Sequence, residues 1–159
     1  MCGITGFIGE GNQETLVQMT NALIHRGPDD IGIFIDPDKL IYLGHRRLSI
    51  IDIETGHQPL WDKDKTIGVI YNGEIYNHQE LRHELEQLGH IFITHHSDTE
   101  VLIHGYKEWG PQVVNRLNGM WAFAIYDTIH HIICLSRDRF GKNPFIMYTL
   151  KMCLPFHRK

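Results

Sequence analysis

The second residue of the chain is a cysteine, and it heads the run Cys2-Gly3-Ile4-Thr5-Gly6-Phe7-Ile8-Gly9, where small and apolar residues nearly alternate. Alternation of period two marks a strand, so the chain enters its fold through a sheet with its N-terminus at a strand end. Methionine aminopeptidase removes Met1 when the next side chain is small, which would leave Cys2 carrying both a thiol and a free α-amine. An α-amine titrates near pH ~7.7–8.0 and can serve as the base that a thiol nucleophile needs. Held at the end of a buried strand, such a residue is a nucleophile and base in one. Free cysteine is also a common small core residue, and position alone leaves both readings open.

The remaining bounds are those of one ordinary domain. The 159 residues are 42% hydrophobic and 21% charged, enough for a sizeable core. A formal net charge of −4 gives no electrostatic case for nucleic acid or an anionic membrane. No apolar run reaches the length of a membrane span, and no basic-then-apolar leader opens the chain, so a cytoplasmic protein is expected. Cys2, Cys134 and Cys153 are odd in number and far apart, which argues against a disulfide framework. Among the 12 histidines, His95-His96 with Asp98 and Glu100, or Glu100 with His104, are conceivable metal ligands. No C-x-x-C or H-E-x-x-H spacing supports one, so no metal site is expected.

In chain order, Ile4–Ile8 reads as a strand, and Glu14–Ile24 as a helix stopped by His25-Arg26-Gly27-Pro28. Ile31–Ile35 and Leu40–Leu43 read as strands around the turn Asp36-Pro37-Asp38, and Ile67–Tyr71 as a strand ending in Asn72-Gly73-Glu74. Taken locally, Asn-Gly is a hairpin turn. His78–Leu88 is helical up to Gly89, and Ser97 with Glu100 forms a capping box for a helix over Asp98–Trp109. Val113–Leu117 opens a short helix, and Met120–Tyr126 and Ile132–Ser136 are strands. Strands, then two helices, then strands give an α+β sandwich rather than alternating βαβ units.

Six segments carry a family resemblance: Met1-Cys2-Gly3-Ile4, His25-Arg26-Gly27-Pro28-Asp29, His45-Arg46-Arg47-Leu48-Ser49-Ile50, Asn72-Gly73-Glu74-Ile75-Tyr76-Asn77, Ser97-Asp98-Thr99-Glu100 and Asn118-Gly119-Met120-Trp121-Ala122-Phe123-Ala124. As an ordered set they resemble class II glutamine amidotransferases, above all the glutaminase domain of glutamine-hydrolysing asparagine synthetases. Amidotransferases acting on sugar phosphates or purine precursors differ at Arg47-Leu48-Ser49-Ile50-Ile51-Asp52 and Gly56-His57-Gln58-Pro59-Leu60. The resemblance covers positions 1 to about 142 and implies an N-terminal-nucleophile fold, a four-layer αββα sandwich of antiparallel sheets.

It also implies roles. Cys2 would attack the carboxamide of L-glutamine to give a thioester and ammonia, with Asn72 Nδ2 and the Gly73 N–H stabilising the tetrahedral oxyanion. Arg47 would clamp the α-carboxylate, a task suited to its planar fork. Asp98 and Glu74 would hold the α-ammonium, and the backbones of Leu48 and Ile50 would contact the side-chain amide. The ammonia would serve ATP-dependent amidation of aspartate by a synthetase domain that normally follows on the same chain. No Ser-Gly-Gly-x-Asp-Ser loop or Walker-type loop occurs here, so ATP and Mg²⁺ belong to that domain and no cofactor to this chain. Two alternatives stand beside this reading: an amidotransferase for another acceptor, such as a sugar carboxylate, or a non-catalytic remnant.

Residues 143–159 depart from the family after Arg137-Asp138-Arg139-Phe140-Gly141-Lys142. Inserting one adenine before codon 143 lets synonymous codons restore a family-like Lys-Pro-Phe-Tyr-Tyr and a later Phe-Ser-Ser-Glu, so an out-of-frame tail is expected. A sheet lacking its next strands would leave an open edge, and a poorly soluble or weakly active chain.

Overall fold

Strands β1 (Gly3–Ile8) and β2 (Asp30–Asp36) both pair antiparallel with β3 (Ile41–Arg47), which lies between them. A computed structural model describes residues 2–49, 56–94 and 97–148 of this chain. Successive side chains of a strand alternate in direction, and β3 uses both faces. Gly44 and Arg46 face helix α1 (Gln13–Asn21), where the Arg46 Nε donates to the Thr20 carbonyl at 3.4 Å. Ile41 and Leu43 face the other way, into a cluster with Ile70, Ala124 and Tyr126.

Those last three residues come from a second antiparallel sheet, ordered β4 (Leu60–Trp61), β5 (Ile67–Ile75), β6 (Gly119–Asp127), β7 (Ile132–Arg137). The opposite face of β5 and β6, with Val69, Tyr71, Phe123 and Ile125, packs beneath helices α2 (His78–Gln87) and α3 (Asp98–Trp109). Helix, sheet, sheet and helices therefore stack as the expected αββα layers. Val69, Phe123 and Ile125 are fully buried, each contributing about 1.5–3 kcal/mol of apolar transfer. Phe34, Trp61 and Tyr126 close one end of the space between the sheets, and the Tyr126 hydroxyl donates to Asp36 Oδ2 at 2.6 Å.

Several local expectations are corrected. Helix α1 starts under an Asn12 cap that accepts from the Thr15 N–H at 2.9 Å, and it ends at Asn21 rather than Ile24. Past Asn21 the chain tightens into turns, with the Leu23 N–H on the Thr20 carbonyl and the Ile24 N–H on the Asn21 carbonyl, both at 3.1 Å, while Arg46 also bonds the Thr20 carbonyl. Asn72-Gly73 is no turn; β5 runs through it to Ile75 in register with β6. The short helix near Val113 is a 3₁₀ turn over Gly110–Asn115, started by Pro111.

The capping box does not form. Ser97 makes no side-chain cap, and Glu100 turns to the preceding segment instead. Its carboxylate accepts from the Ile93 N–H at 2.7 Å, the Thr94 N–H at 2.8 Å and the Thr94 hydroxyl at 2.6 Å, and it pairs with His104 Nε2 at 3.3 Å. Two successive N–H groups and a hydroxyl outcompete the single N–H that a cap would offer. The Glu100–His104 pair considered for metal binding is thus a contact within α3, whereas His95 and His96 lie outside the described residues. Among the described residues no three histidine, cysteine, aspartate or glutamate side chains gather into a metal-binding group. Cys2 and Cys134 are free thiols, and none of the described helices is long and apolar enough to cross a membrane.

Burial opposes the Glu100 charge, but His104, Thr94 and the two N–H groups outweigh it and hold the carboxyl at about 2 against an ordinary 4.5. A depressed carboxyl stabilises the fold fully above the unfolded value and loses that contribution as pH falls through the folded one. Urea unfolding should show about 3 kcal/mol from this group disappearing as pH drops from roughly 4.5 to 2. In Glu100→Gln the fall over that range should be smaller by this amount, the remainder coming from other depressed carboxyls such as Asp30.

Candidate active site

The second sheet is incomplete on one side of β5. β4 pairs Leu60 with Val69 and Trp61 with Gly68, and then its chain departs. The Tyr71 N–H, the next to face that side, is taken at 2.6 Å by the side-chain oxygen of Gln58. Two positions past Gly73, the Ile75 N–H is taken at 3.0 Å by Asp98 Oδ2. In an antiparallel ladder alternate residues turn their N–H to opposite sides. Gly73 therefore presents its N–H to the same open side as Tyr71 and Ile75, and no described side chain accepts from it. A Cβ at Gly73 would lie 2.3 Å from the Met120 carbonyl oxygen and 2.8 Å from the Trp121 Cα, so only glycine lets β5 pass β6 this closely.

Cys2 reaches this region from the first sheet. β1 pairs Gly3 with Arg46, and continuing that register by one residue sets Cys2 opposite Arg47. The Cys2 thiol lies 3.9 Å from the Leu48 carbonyl, and the Cys2 carbonyl accepts from Arg26 Nε at 3.1 Å. The segment carrying Arg26 is fastened to the end of β3. Asp29 N–H donates to the Arg47 carbonyl at 3.0 Å, and Asp29 Oδ2 accepts from the Ser49 N–H at 2.7 Å. Gly27 permits this, since a Cβ there would meet the Arg46 carbonyl carbon at 2.4 Å.

Arg47 is buried, and its charge is felt by Asp30, its neighbour in register, and by His45. Asp30 is kept below the usual carboxylate range: burial works against its charge, but His57, the Ile31 N–H and Arg47 prevail. Asn72 is buried and donates through Nδ2 to Asn143 Oδ1 at 3.4 Å, whereas Glu74 is exposed on the same strand. Asp98 opens α3 and accepts at Oδ2 from both the Tyr71 hydroxyl, at 2.7 Å, and Ile75. Tyr71 feels the charge of Asp98 and then that of Glu74, so α3 and the polar end of β5 act on one phenol.

The structure thus brings Cys2, Arg47, Leu48, Asn72, Gly73, Glu74 and Asp98 to the same end of the sandwich, while Ile50 lies outside the described residues. Sequence reading passed over His45, Gln58, Tyr71 and Asn143. His45 and Gln58 lie inside the motif segments and Tyr71 directly precedes Asn72-Gly73, whereas nothing local marked Asn143.

His45 sits between the sheets with 1% of its surface exposed, bonds the Tyr71 backbone, and leaves Nε2 buried without a partner. Desolvation is the main cause that depresses it from 6.5 to about 4, so the imidazole is neutral at physiological pH. A folded state that refuses a proton loses stability as pH falls from the unfolded value toward the folded one. His45 should therefore cost about 3 kcal/mol of unfolding free energy between pH ~6.5 and ~4. His45→Gln, which keeps a donor for Tyr71, should lack this loss in urea titrations at the two pH values.

Comparison with known proteins agrees with this geometry. Residues 1–154 match the family model described as a glutamine amidotransferase domain. Asparagine synthetase [glutamine-hydrolyzing] 3 of Bacillus subtilis (strain 168) is 44% identical over 156 residues, which are 94% of this chain and 25% of that protein. A putative asparagine synthetase [glutamine-hydrolyzing] 2 of Methanocaldococcus jannaschii is 42% identical, with 93% and 32% covered. The chain spans about a quarter to a third of the length of these relatives. Among solved structures, glutamine phosphoribosylpyrophosphate amidotransferase from B. subtilis superposes with a TM-score of 0.60 at 25% identity, covering 79% of this chain and 34% of that one. An antiparallel αββα sandwich with a cysteine at its edge, matched along nearly its whole length, places this chain in the glutamine amidotransferase domain family.

Proposed function

We propose that this domain hydrolyses L-glutamine to glutamate and ammonia through a thioester on Cys2. Once Met1 is removed, the Cys2 α-amine takes the thiol proton and Sγ attacks the carboxamide carbon. The same amine passes the proton to the leaving nitrogen, ammonia departs, and water then cleaves the thioester to glutamate. The observation that carries this reading is the Gly73 N–H, which faces the open edge of β5 between the bonded N–H groups of Tyr71 and Ile75 and meets no acceptor among the described residues. With Asn72 Nδ2 it forms a pair of donors for the oxyanion, fixed before substrate arrives.

The rest of glutamine carries one negative and one positive group on its Cα. Arg47, buried and cationic, takes the carboxylate; Asp98 and Glu74, on the far side of Gly73, take the ammonium. The Leu48 carbonyl near the thiol suits the substrate's amide N–H, as does the backbone at Ile50. The names of the relatives, asparagine synthetases, support aspartate as final acceptor, amidated by a synthetase domain on the same chain; ATP and Mg²⁺ belong to that domain in this reading. This domain then supplies only ammonia and needs no cofactor.

Cys2→Ala should abolish ammonia release from glutamine, and so should blocking Met1 removal with the thiol intact. Parental rates in either protein would end the mechanism. Arg47→Ala and Asp98→Ala should each raise the glutamine KM, by roughly 1.5–3 kcal/mol of lost charge-assisted bonding, with smaller changes in kcat. Steady-state kinetics showing neither effect would remove both residues from the site.

A further inference from the structure

Tyr71 is held at every polar atom it owns. Its N–H donates to Gln58 Oε1, its backbone is bonded by His45, and its hydroxyl donates to Asp98 Oδ2 at 2.7 Å. Only 3% of its surface is exposed, and its ring belongs to the core under α2 and α3. The three partners come from the segment before β4, from the first sheet and from α3. They converge on the residue that directly precedes Asn72-Gly73.

Asp98 is held as specifically. One of its oxygens, Oδ2, accepts from Tyr71 and from the Ile75 N–H, two residues to either side of Gly73. Its other oxygen takes no hydrogen bond from the described residues, so it is the atom left to meet a ligand. A carboxylate gripped at one oxygen by two donors on the same strand cannot turn independently of that strand. Burial, and then the charge of Asp98, push the Tyr71 phenol well above its ordinary value, so the hydroxyl stays protonated and remains a donor.

We infer that Tyr71 is a positioning residue for substrate recognition, locking the Asp98 carboxylate to the strand edge that carries Gly73. Glutamine's α-ammonium and its carboxamide are then read at a fixed separation by one rigid unit. This rests on the proposed glutaminase reading, in which Asp98 holds the ammonium. It goes beyond that reading by assigning selectivity for the ammonium to a phenol that touches no substrate. Loss of the hydroxyl should harm binding of the ammonium end and leave the reacting end alone, because Gln58 and His45 still fasten the Tyr71 backbone.

The test compares glutamine with glutaramate, the same molecule without its α-ammonium, in ammonia-release kinetics of the full chain. Tyr71→Phe should raise the glutamine KM about tenfold, as expected for a lost bond to a charged group, and change kcat by less than about twofold. The glutaramate KM should not move. An unchanged glutamine KM overturns the inference, and so does an equal rise for both substrates or a parallel fall in kcat, which marks general loosening. Asp98→Asn separates the two levels. If it leaves the glutamine KM alone, the ammonium assignment fails and takes this inference with it. If it raises KM while Tyr71→Phe does not, this inference alone fails. A second measurement needs no substitution at Tyr71: its ¹³Cζ resonance should shift on saturation with glutamine and stay in place with glutaramate. A resonance unmoved by glutamine overturns the proposal.

Discussion

Beyond Leu60 the backbone of β5 loses its neighbour on one side, and the N–H groups of Tyr71, Gly73 and Ile75 must find acceptors elsewhere. Buried backbone donors are seldom left unpaired, so the molecule supplies side chains where a strand would have run. Gln58 takes the first and Asp98 the third. The one between them is left for a ligand, and glycine there lets β5 lie close against β6. Much of the site's architecture follows from that single missing ladder: why Asp98 sits where it does, why Tyr71 is tied down, and why an anion would settle beside Gly73.

The first sheet meets this edge with a gradient of polarity built into one strand. The inward residues of β3 run Ile41, Leu43, His45, Arg47, from apolar to cationic in four alternate positions. Their counterparts on β5 run Ile70, Asn72, Glu74. At the apolar end the sheets are joined by aromatic packing, and the polar end carries the charged groups. Burying Arg47 and a neutral His45 there costs desolvation energy. That cost is offset by Asp30, the Tyr71 backbone and, in the proposed complex, the carboxylate of the substrate.

The same economy of partners explains the departures from local rules. Glu100 abandons a helix cap because the chain before α3 offers it two N–H groups and a hydroxyl in one place. Arg46 meets the end of α1 at the Thr20 carbonyl and the Asn21 side chain. Asn143, the first residue of the tail expected to leave the family pattern, is buried against Asn72, while Phe140, Ile146, Met147 and Tyr148 are each exposed.

By itself the sequence located every strand except β4, because apolar, β-branched patterning is a local property, and it determined α2 and α3, whose apolar faces recur at helical spacing. It also marked Cys2, Arg47, Asn72, Gly73 and Asp98, though through their resemblance to a family rather than through their own pattern. Only the tertiary structure decided that Asn72-Gly73 stays extended, since Asn-Gly favours a turn until β6 pairs with it across 9 positions. Nor could the sequence reveal Gln58, His45 and Asp98 closing on Tyr71. They lie 13, 26 and 27 residues away from it. Which of them meets an open N–H depends on where β4 stops pairing, and that is set by how the two sheets pack, not by any short stretch of chain.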